Sequence, residues 1–208
     1  MSVLTKEESL REVRSKSMTE EKFLEFCDED IRAEFKDGEV IVHSPVSFKH
    51  VRIGAFIGSI LQFYVDQHKL GTFLGDNFQV RLRPGLRRVP DLMFVCAGNK
   101  AEITDTEIEG APDLIVEIVS SDSVERDWRD KYLEYENAGV REYWIIDPNN
   151  ERFAIYCLNE SGEYEAQPLE QGILQSRVLP GFWMKPEWLW QDPLPNVLNI
   201  AKELKINL

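Results

Sequence analysis

Apolar positions in this chain change period from one stretch to the next, and the periods mark out the elements. From Ile31 to Val42, IRAEFKDGEVIV, two alternating segments meet at Asp37-Gly38, a turn pair that favours a hairpin. Ser47 to about Lys69 switches to helical spacing: Ile53, Ile57, Ile60 and Tyr64 share one face, and Phe56, Leu61 and Phe63 widen it. Gly54 and Gly58, four apart, let a neighbouring element pack closely on that helix. Thr72 to Leu82 predicts a strand, Pro84-Gly85 a tight turn, and Val89 to Ala97 a returning strand. Asn99 to Gly110 is polar and acidic and predicts a loop. Leu114, Ile115, Val116, Ile118 and Val119 form an apolar run opened by Pro112-Asp113, which suits a strand buried on both faces. A helix follows, started by Ser121, Asp122 and Ser123 with Glu125 in its first turn, and stopped by Gly139. Glu142 to Asp147, EYWIID, is a second apolar strand ended by Pro148. Arg152 to Leu158 returns as its hairpin partner, and Tyr164 to Pro168 adds a short edge strand.

The flanks are less regular. Residues up to about Cys27 predict an exposed N-terminal helix, with a start signal at Thr19, Glu20 and Glu21. The stretch GILQSRVLPGFWMKPEWLW predicts a strand and an irregular wrap carrying Phe182, Trp183, Trp188 and Trp190 back onto the fold. An aromatic cluster of that size also suits a homodimer contact. Pro195 to Leu208 closes with a short helix. The 208 residues read as one domain, with a core over 31–158, an N-terminal helix within 1–30 and an extension over 159–208.

Charge changes this picture at a few positions. Glu117 sits in the middle of the fully apolar strand, where a carboxylate needs a partner, a proton or a metal. On the next helix Val124, Trp128 and Tyr135 share a face, and Lys131 lies on that same face. A buried carboxylate followed by an inward lysine reads as an active-site arrangement, with a purely structural ion pair as the plainer alternative. Asp91 stands at the start of the returning strand, and Asp113 at the start of the strand that holds Glu117. Glu34 falls on the first arm of the N-terminal hairpin, where its simplest reading is an exposed strand position.

The whole chain carries a net charge of −13, which opposes nucleic-acid binding through a cationic surface. One local basic patch stands against it: Arg81, Arg83, Arg87 and Arg88 within RLRPGLRRVPD, a phosphate grip or simply a solvated hairpin. Cys27, Cys96 and Cys157 are odd in number, far apart and in no paired motif, so they read as reduced thiols of a cytoplasmic protein. His43, His50 and His68 are too scattered to suggest a ligand set, and His50 reads as a capping or surface residue. No apolar run approaches the roughly 18 residues that span a bilayer, and the charged N-terminus lacks a signal core.

Pro90-Asp91 followed by Glu117-Ile118-Val119 resembles the PD-(D/E)XK nuclease superfamily, the restriction-endonuclease-like fold. The longer text PDLIVEIVS, Asp127, Lys131, Tyr135, then GVREYWIIDP, resembles one branch of it, a family labelled putative restriction endonucleases. The resemblance covers roughly Ile31 to Leu158 and implies an α/β fold with a mixed sheet flanked by helices. It implies a metal-dependent endonuclease acting on DNA. Asp91 and Glu117 would be the carboxylate ligands of Mg²⁺ or Mn²⁺, with the Ile118 carbonyl as a third ligand and Glu34 as an extra acid. Such a metal neutralises charge growing on phosphate oxygens and activates a water. The superfamily's lysine two residues after the glutamate is Val119 here, and Lys131 is its natural substitute. Two other readings compete: an inactive binding or regulatory protein on the same fold, and a hydrolase of another phosphate ester.

Overall fold

The computed structural model describes residues 18–27, 32–43, 45–75, 78–120 and 126–207. The predicted start of the helix after Glu117, Ser121 to Glu125 with Val124, lies outside the described residues, as do Ile31 and most of the N-terminal stretch. Helix α1 spans Glu20–Phe26 and begins where expected, at a Thr19 cap that accepts from the Lys22 amide. Strands β1 (Ala33–Lys36) and β2 (Glu39–Val42) form the hairpin, with Asp37 and Gly38 both at positive φ. Helix α2 spans Phe48–His68 behind a Ser47 cap.

The segment after α2 departs from the expected long hairpin. It divides into β3 (Gly71–Leu74) and β4 (Gln79–Arg83), which belong to different sheets. The Pro84-Gly85 turn joins β4 to β5 (Leu86–Arg88), and the chain then crosses over to β6 (Leu92–Cys96), whose antiparallel partner is β3. A turn signal fixes the local pair; which sheet the outer ends join depends on distant partners. The expected acidic loop also contains two short strands, β7 (Glu102–Ile103) and β8 (Glu107–Glu109), the latter parallel to β4.

Strand β9 (Leu114–Ile118) runs parallel to β10 (Glu142–Asp147), and the crossover between them carries a helix, as a parallel pair requires. That helix opens as a π-helical turn, Arg126–Asp130, and continues as α3, Lys131–Ala138. Gly139 stops it at φ 88°, a left-handed cap whose amide reaches the Tyr135 and Glu136 carbonyls. Strands β11 (Arg152–Leu158) and β12 (Tyr164–Ala166) extend the sheet as expected. The remainder holds β13 (Leu174–Gln175), β14 (Trp183–Met184), a 3₁₀ turn at Pro186–Trp190 and helix α4 (Val197–Glu203).

Two six-stranded sheets result, ordered β2-β1-β5-β4-β8-β7 and β12-β11-β10-β9-β6-β3. The second is buried on both faces, which is why β9 and β10 read as continuous apolar runs. One face puts Leu92, Phe94, Val116, Ile118 and Trp144 against α2 and the C-terminal wrap. The other puts Met93, Ile115, Val119, Tyr143 and Ile145 against Tyr135 of α3 and Val80 and Ile108 of the first sheet. Gly54 and Gly58 fit here: an added Cβ would stand 3.4 Å from Ile118 and from Leu92 respectively. The aromatic wrap belongs to this core, with Phe182 and Trp188 buried and Trp183 and Trp190 packed against it. The feature that suggested a homodimer contact is thereby taken up within the chain.

Glu142 pins that wrap. Its carboxylate accepts from Trp144 Nε1 at 2.6 Å, from the Arg177 and Val178 amides at 2.7 and 3.0 Å, and from Ser176 Oγ at 3.2 Å. Burial nonetheless raises its pKa. Glu142→Ala would leave several buried donors unmet, and we expect a loss of about 3 kcal/mol or more in urea unfolding. A loss under about 1 kcal/mol would show that the wrap is held by its aromatics alone.

Candidate active site

Asp91 and Glu117 come together through sheet register. Leu92 pairs with Val116 on antiparallel β6 and β9, and one step further along sets Asp91 opposite Glu117. Asp91 Oδ2 accepts from the Ile118 amide at 2.7 Å, while Oδ1 is 3.0 Å from His50 Nε2 and 3.2 Å from Arg32 Nη2. Burial works against the charge, but His50, the Ile118 amide and Arg32 outweigh it and hold the carboxyl below its ordinary range. An ionised carboxylate only accepts, so His50 Nε2 carries the proton toward Asp91. His50 Nδ1 is buried and has no hydrogen-bond partner.

Glu117 faces α3. Its Oε1 accepts from Lys131 Nζ at 2.7 Å and from the Tyr135 hydroxyl at 2.6 Å. Lys131 Nζ also lies 3.3 Å from Glu34 Oε1 and 3.3 Å from Asp127 Oδ1. Lys131 is 2 % exposed, so its ammonium is shared among these acids away from solvent. The π-helical turn contributes: it buries Asp127 one turn before Lys131, with the Asp127 carbonyl accepting from the Tyr143 hydroxyl at 3.0 Å. Burial pushes the Glu117 carboxyl up to about 8 against the pull of Lys131, and the charges of Asp127, Asp91 and Glu34 add to the rise. Lys131, ringed by those acids, is held firmly protonated despite its burial.

Glu34 is wholly buried, not an exposed strand residue. Its Oε2 accepts from Arg88 Nη1 at 2.8 Å, and its Oε1 accepts from the Val89 amide at 3.2 Å and lies 3.4 Å from His43. Lys131, Arg88 and His43 together overcome burial and hold Glu34 well below the ordinary carboxylate range. Asp113 remains a strand-start residue, accepting from the Cys96 amide and Asn99 and pairing with Arg141.

The arginine stretch requires correction, because its guanidinium groups face carboxylates of the same chain. Arg88, 1 % exposed, binds Glu34 and forms a fork on Glu134. Arg87 is buried between Glu20, Gln79 and Glu107. Arg81 pairs with Glu20 and Glu109, and half-exposed Arg83 with Asp37. None of the four lines the pocket described next, and Arg87 and Arg88 have no free surface to offer a phosphate.

That pocket is open to solvent and is lined by Asp91, Glu117, Ile118, Asp127 and Lys131 together with Arg32, His43, His50 and Arg126. Nothing in the sequence pointed to Arg32 or Arg126, His43 read as too scattered for a ligand set, and the capping or surface reading of His50 is corrected, because it is buried against Asp91. His43 and His50 are near neither acid in the chain, and only the Ser47 cap hinted at where α2 would place His50. Arg32 adjoins the hairpin signal but nothing in the pattern aims it at Asp91.

The family model Uma2, described as "Putative restriction endonuclease", matches residues 20–187. The chain belongs to this family. A solved structure from Anabaena variabilis ATCC 29413, described as a putative nuclease belonging to DUF820, superposes with a TM-score of 0.69 at 18% identity. The match covers 83% of this chain and 97% of that one, and it establishes the restriction-endonuclease-like fold. No curated protein matches the chain in sequence. Both descriptions point to a nuclease.

The Uma2 site suits a hard divalent cation in its donors: two carboxylates and a strand-end carbonyl beside a pocket with room for water. Three buried acids, Glu34, Glu117 and Asp127, meet one ammonium with Asp91 beside Glu117, and burial first, then the neighbouring acids, raises the Glu117 pKa. Among the described residues no group of three His, Cys, Asp or Glu side chains forms a ready ligand set. A cation held here would therefore take Asp91 and Glu117 and complete its shell with water and the Ile118 carbonyl.

Glu117 also sets a pH dependence. Below its ordinary value of 4.5 it is protonated in both folded and unfolded chains. Between there and about 8 the unfolded chain releases the proton while the folded one keeps it, so stability falls as pH rises through that window. Asp91 and Glu34, held low, act the opposite way and only as pH drops through the acid range. Thermal melts without divalent metal should fall between pH 5 and pH 8 by the equivalent of a few kcal/mol (roughly 1.4 kcal/mol per unit of pKa shift). In Glu117→Gln that decline should largely disappear, and an unchanged decline would assign it elsewhere.

Proposed function

We propose that this Uma2 chain is a metal-dependent endonuclease that hydrolyses DNA phosphodiester bonds, with Asp91 and Glu117 holding Mg²⁺ or Mn²⁺. The observation that carries this reading is Lys131 Nζ at 2.7 Å from Glu117 Oε1. The superfamily's lysine is absent from position 119, yet an ammonium stands beside the same carboxylate, delivered from the following helix. Bound at these acids, the metal would supply charge neutralisation on the phosphate oxygens and a water of lowered pKa.

The chain's own residues do the rest. Asp91 is fixed on both oxygens, so it presents its charge without rotating. Tyr135 and Lys131 hold one oxygen of Glu117, which orients the other. Lys131 serves as the cation that steadies the attacking water or the developing negative charge. Glu34 and Asp127 anchor the ammonium, and Glu34 is an extra acid behind the site rather than a ligand, because it does not line the pocket. The internal pairing of the arginine stretch favours a second reading, a hydrolase of a smaller phosphate ester. Salt-dependent DNA binding separates the two.

Incubation of the protein with plasmid and single-stranded DNA, with Mg²⁺ or Mn²⁺ and with a chelator, tests the first reading directly. Metal-dependent cleavage lost in Asp91→Ala and Glu117→Ala is the expected result. Lys131→Met should lower the rate by about 100-fold or more. It should also lower the melting temperature, since three buried acids lose their shared cation, so rates are compared well below the melt. Val119 shares the strand face of Glu117, about 7 Å along, and Val119→Lys in the Lys131→Met background should recover part of the activity. Cleavage by Lys131→Met at the parental rate would remove Lys131 from the mechanism.

A further inference from the structure

Arg32, Arg52, Arg81, Arg83, Arg87, Arg88 and Arg141 each sit in an ion pair with a carboxylate, and Arg152 lies over the Trp128 ring. Arg126 stands apart from these. It lines the pocket with Asp91, Glu117 and Lys131, yet it makes no ion pair with any carboxylate among the described residues. Its Nε is buried and has no hydrogen-bond partner. A charged donor withdrawn from water and left unmet is destabilising, and folded proteins seldom keep one unless something else supplies the acceptor. The chain carries 37 acidic residues against 24 basic ones, so the lack of a partner is not a shortage of carboxylates.

An anion small enough to enter the pocket would supply that acceptor and match the guanidinium's charge. A guanidinium offers a planar fork of donors, and phosphate returns two oxygens at matching spacing. The pocket's acids are turned to other partners: Asp91 to His50, Arg32 and Ile118, Glu117 to Lys131 and Tyr135, and Asp127 to Lys131. We infer that Arg126 is the phosphate-gripping residue of this pocket, binding a non-bridging oxygen pair of a phosphodiester or phosphate ester beside Asp91 and Glu117. The choice of a nucleic-acid phosphodiester rests on the nuclease reading, while the anion site itself does not.

Two probes separate those layers: inorganic phosphate or pyrophosphate followed by thermal shift, and a short labelled oligonucleotide followed by binding at several salt concentrations. Arg126→Met should bind the oligonucleotide about 10- to 100-fold more weakly, the range of one charge-assisted pair. Its salt slope should fall by about 0.7–0.9, one phosphate's worth. Arg126→Lys should recover the slope better than the affinity, because an ammonium restores the charge but not the fork. Phosphate should raise the melting temperature of the wild type and not of Arg126→Met. The ligand-free melting temperature of Arg126→Met should equal or exceed the parent's, since the change removes an unmet donor; a structural ion-pair role would lower it. Phosphate stabilisation that depends on Arg126 in a protein that cleaves no DNA would uphold the anion site and sink the nuclease reading. DNA cleavage with equal affinity and slope in Arg126→Met would do the reverse. A wild type that responds to neither probe, or an Arg126→Met that melts lower and binds as well as the parent, overturns the inference.

Discussion

The ammonium of Lys131 ties this structure together. Three carboxylates meet it within 3.3 Å, and each comes from a different element: Glu117 from β9, Glu34 from β1 and Asp127 from the π-helical turn. Removing any of these charges from water is expensive by several kcal/mol, so none could stand in the interior alone. Sharing one cation, and with Arg88 as a second on the Glu34 side, they become tolerable. The two sheets are thus joined by charge as well as by the Val80, Ile108 and Tyr143 contact between them. Burial outweighs the pull of Lys131, and the neighbouring acids add to it, so Glu117 is left with a raised pKa. That residual strain is what a bound cation would relieve.

The same dependence decides what could be read from the chain. Glu117 and Lys131 were legible because each violates a local pattern: an acid inside an unbroken apolar run, and a lysine inside an apolar helical stripe. The strands themselves were legible for the same reason, since β9 and β10 are buried on both faces and carry no polar alternation to confuse. Arg32, His43 and His50 violate nothing locally. They become part of the site because β1 and the start of α2 arrive near Asp91, and arrival is a tertiary event. The arginine stretch failed in the opposite direction. Four positive charges in eight residues look like a surface patch until Glu20, Glu34, Glu107 and Glu134 are known to face them, from 20 to 67 positions away. The divided hairpin has a similar cause: Pro84-Gly85 specifies a turn, while the choice of sheet for β3 and β6 is made by their pairing with each other and with β9.

Most of the GVREYWIIDP text turns out to be architecture. Gly139 terminates α3 with a left-handed residue, and Val140 fills the core below it. Glu142 holds the C-terminal wrap, Tyr143 braces the Asp127 carbonyl, and Trp144 fills the core on the α2 side. Asp147 closes the following turn through the Asn149 and Asn150 amides. A motif this strong in signal therefore identifies the family without containing its chemistry. The pocket residues lie elsewhere, but several of them are placed by it: the Tyr143 brace fixes the turn that buries Asp127, and that turn sets the rotation at which Lys131 enters the site.

The net charge of −13 is compatible with a phosphate-directed pocket once charge is treated locally. Beyond about 10 Å at ordinary salt the overall field is screened, so what a bound phosphate experiences is the immediate lining. That lining includes Arg32, Arg126, Lys131 and two histidines beside the acids. An acidic exterior then suppresses sliding and non-specific contact along duplex DNA, because there is little cationic surface from which to release counterions. Affinity would have to come from the pocket itself, through few contacts made at short range. A nuclease of the kind proposed would discriminate by whether a phosphate can reach the recess between β6, β9 and α2, not by how strongly the backbone is gripped on approach. Accessible ends, single strands and distorted sites meet that condition more readily than a smooth duplex. The internal pairing of Arg87 and Arg88 fits the same economy: those cations join the elements that shape the recess and leave recognition, on the proposed reading, to the recess itself.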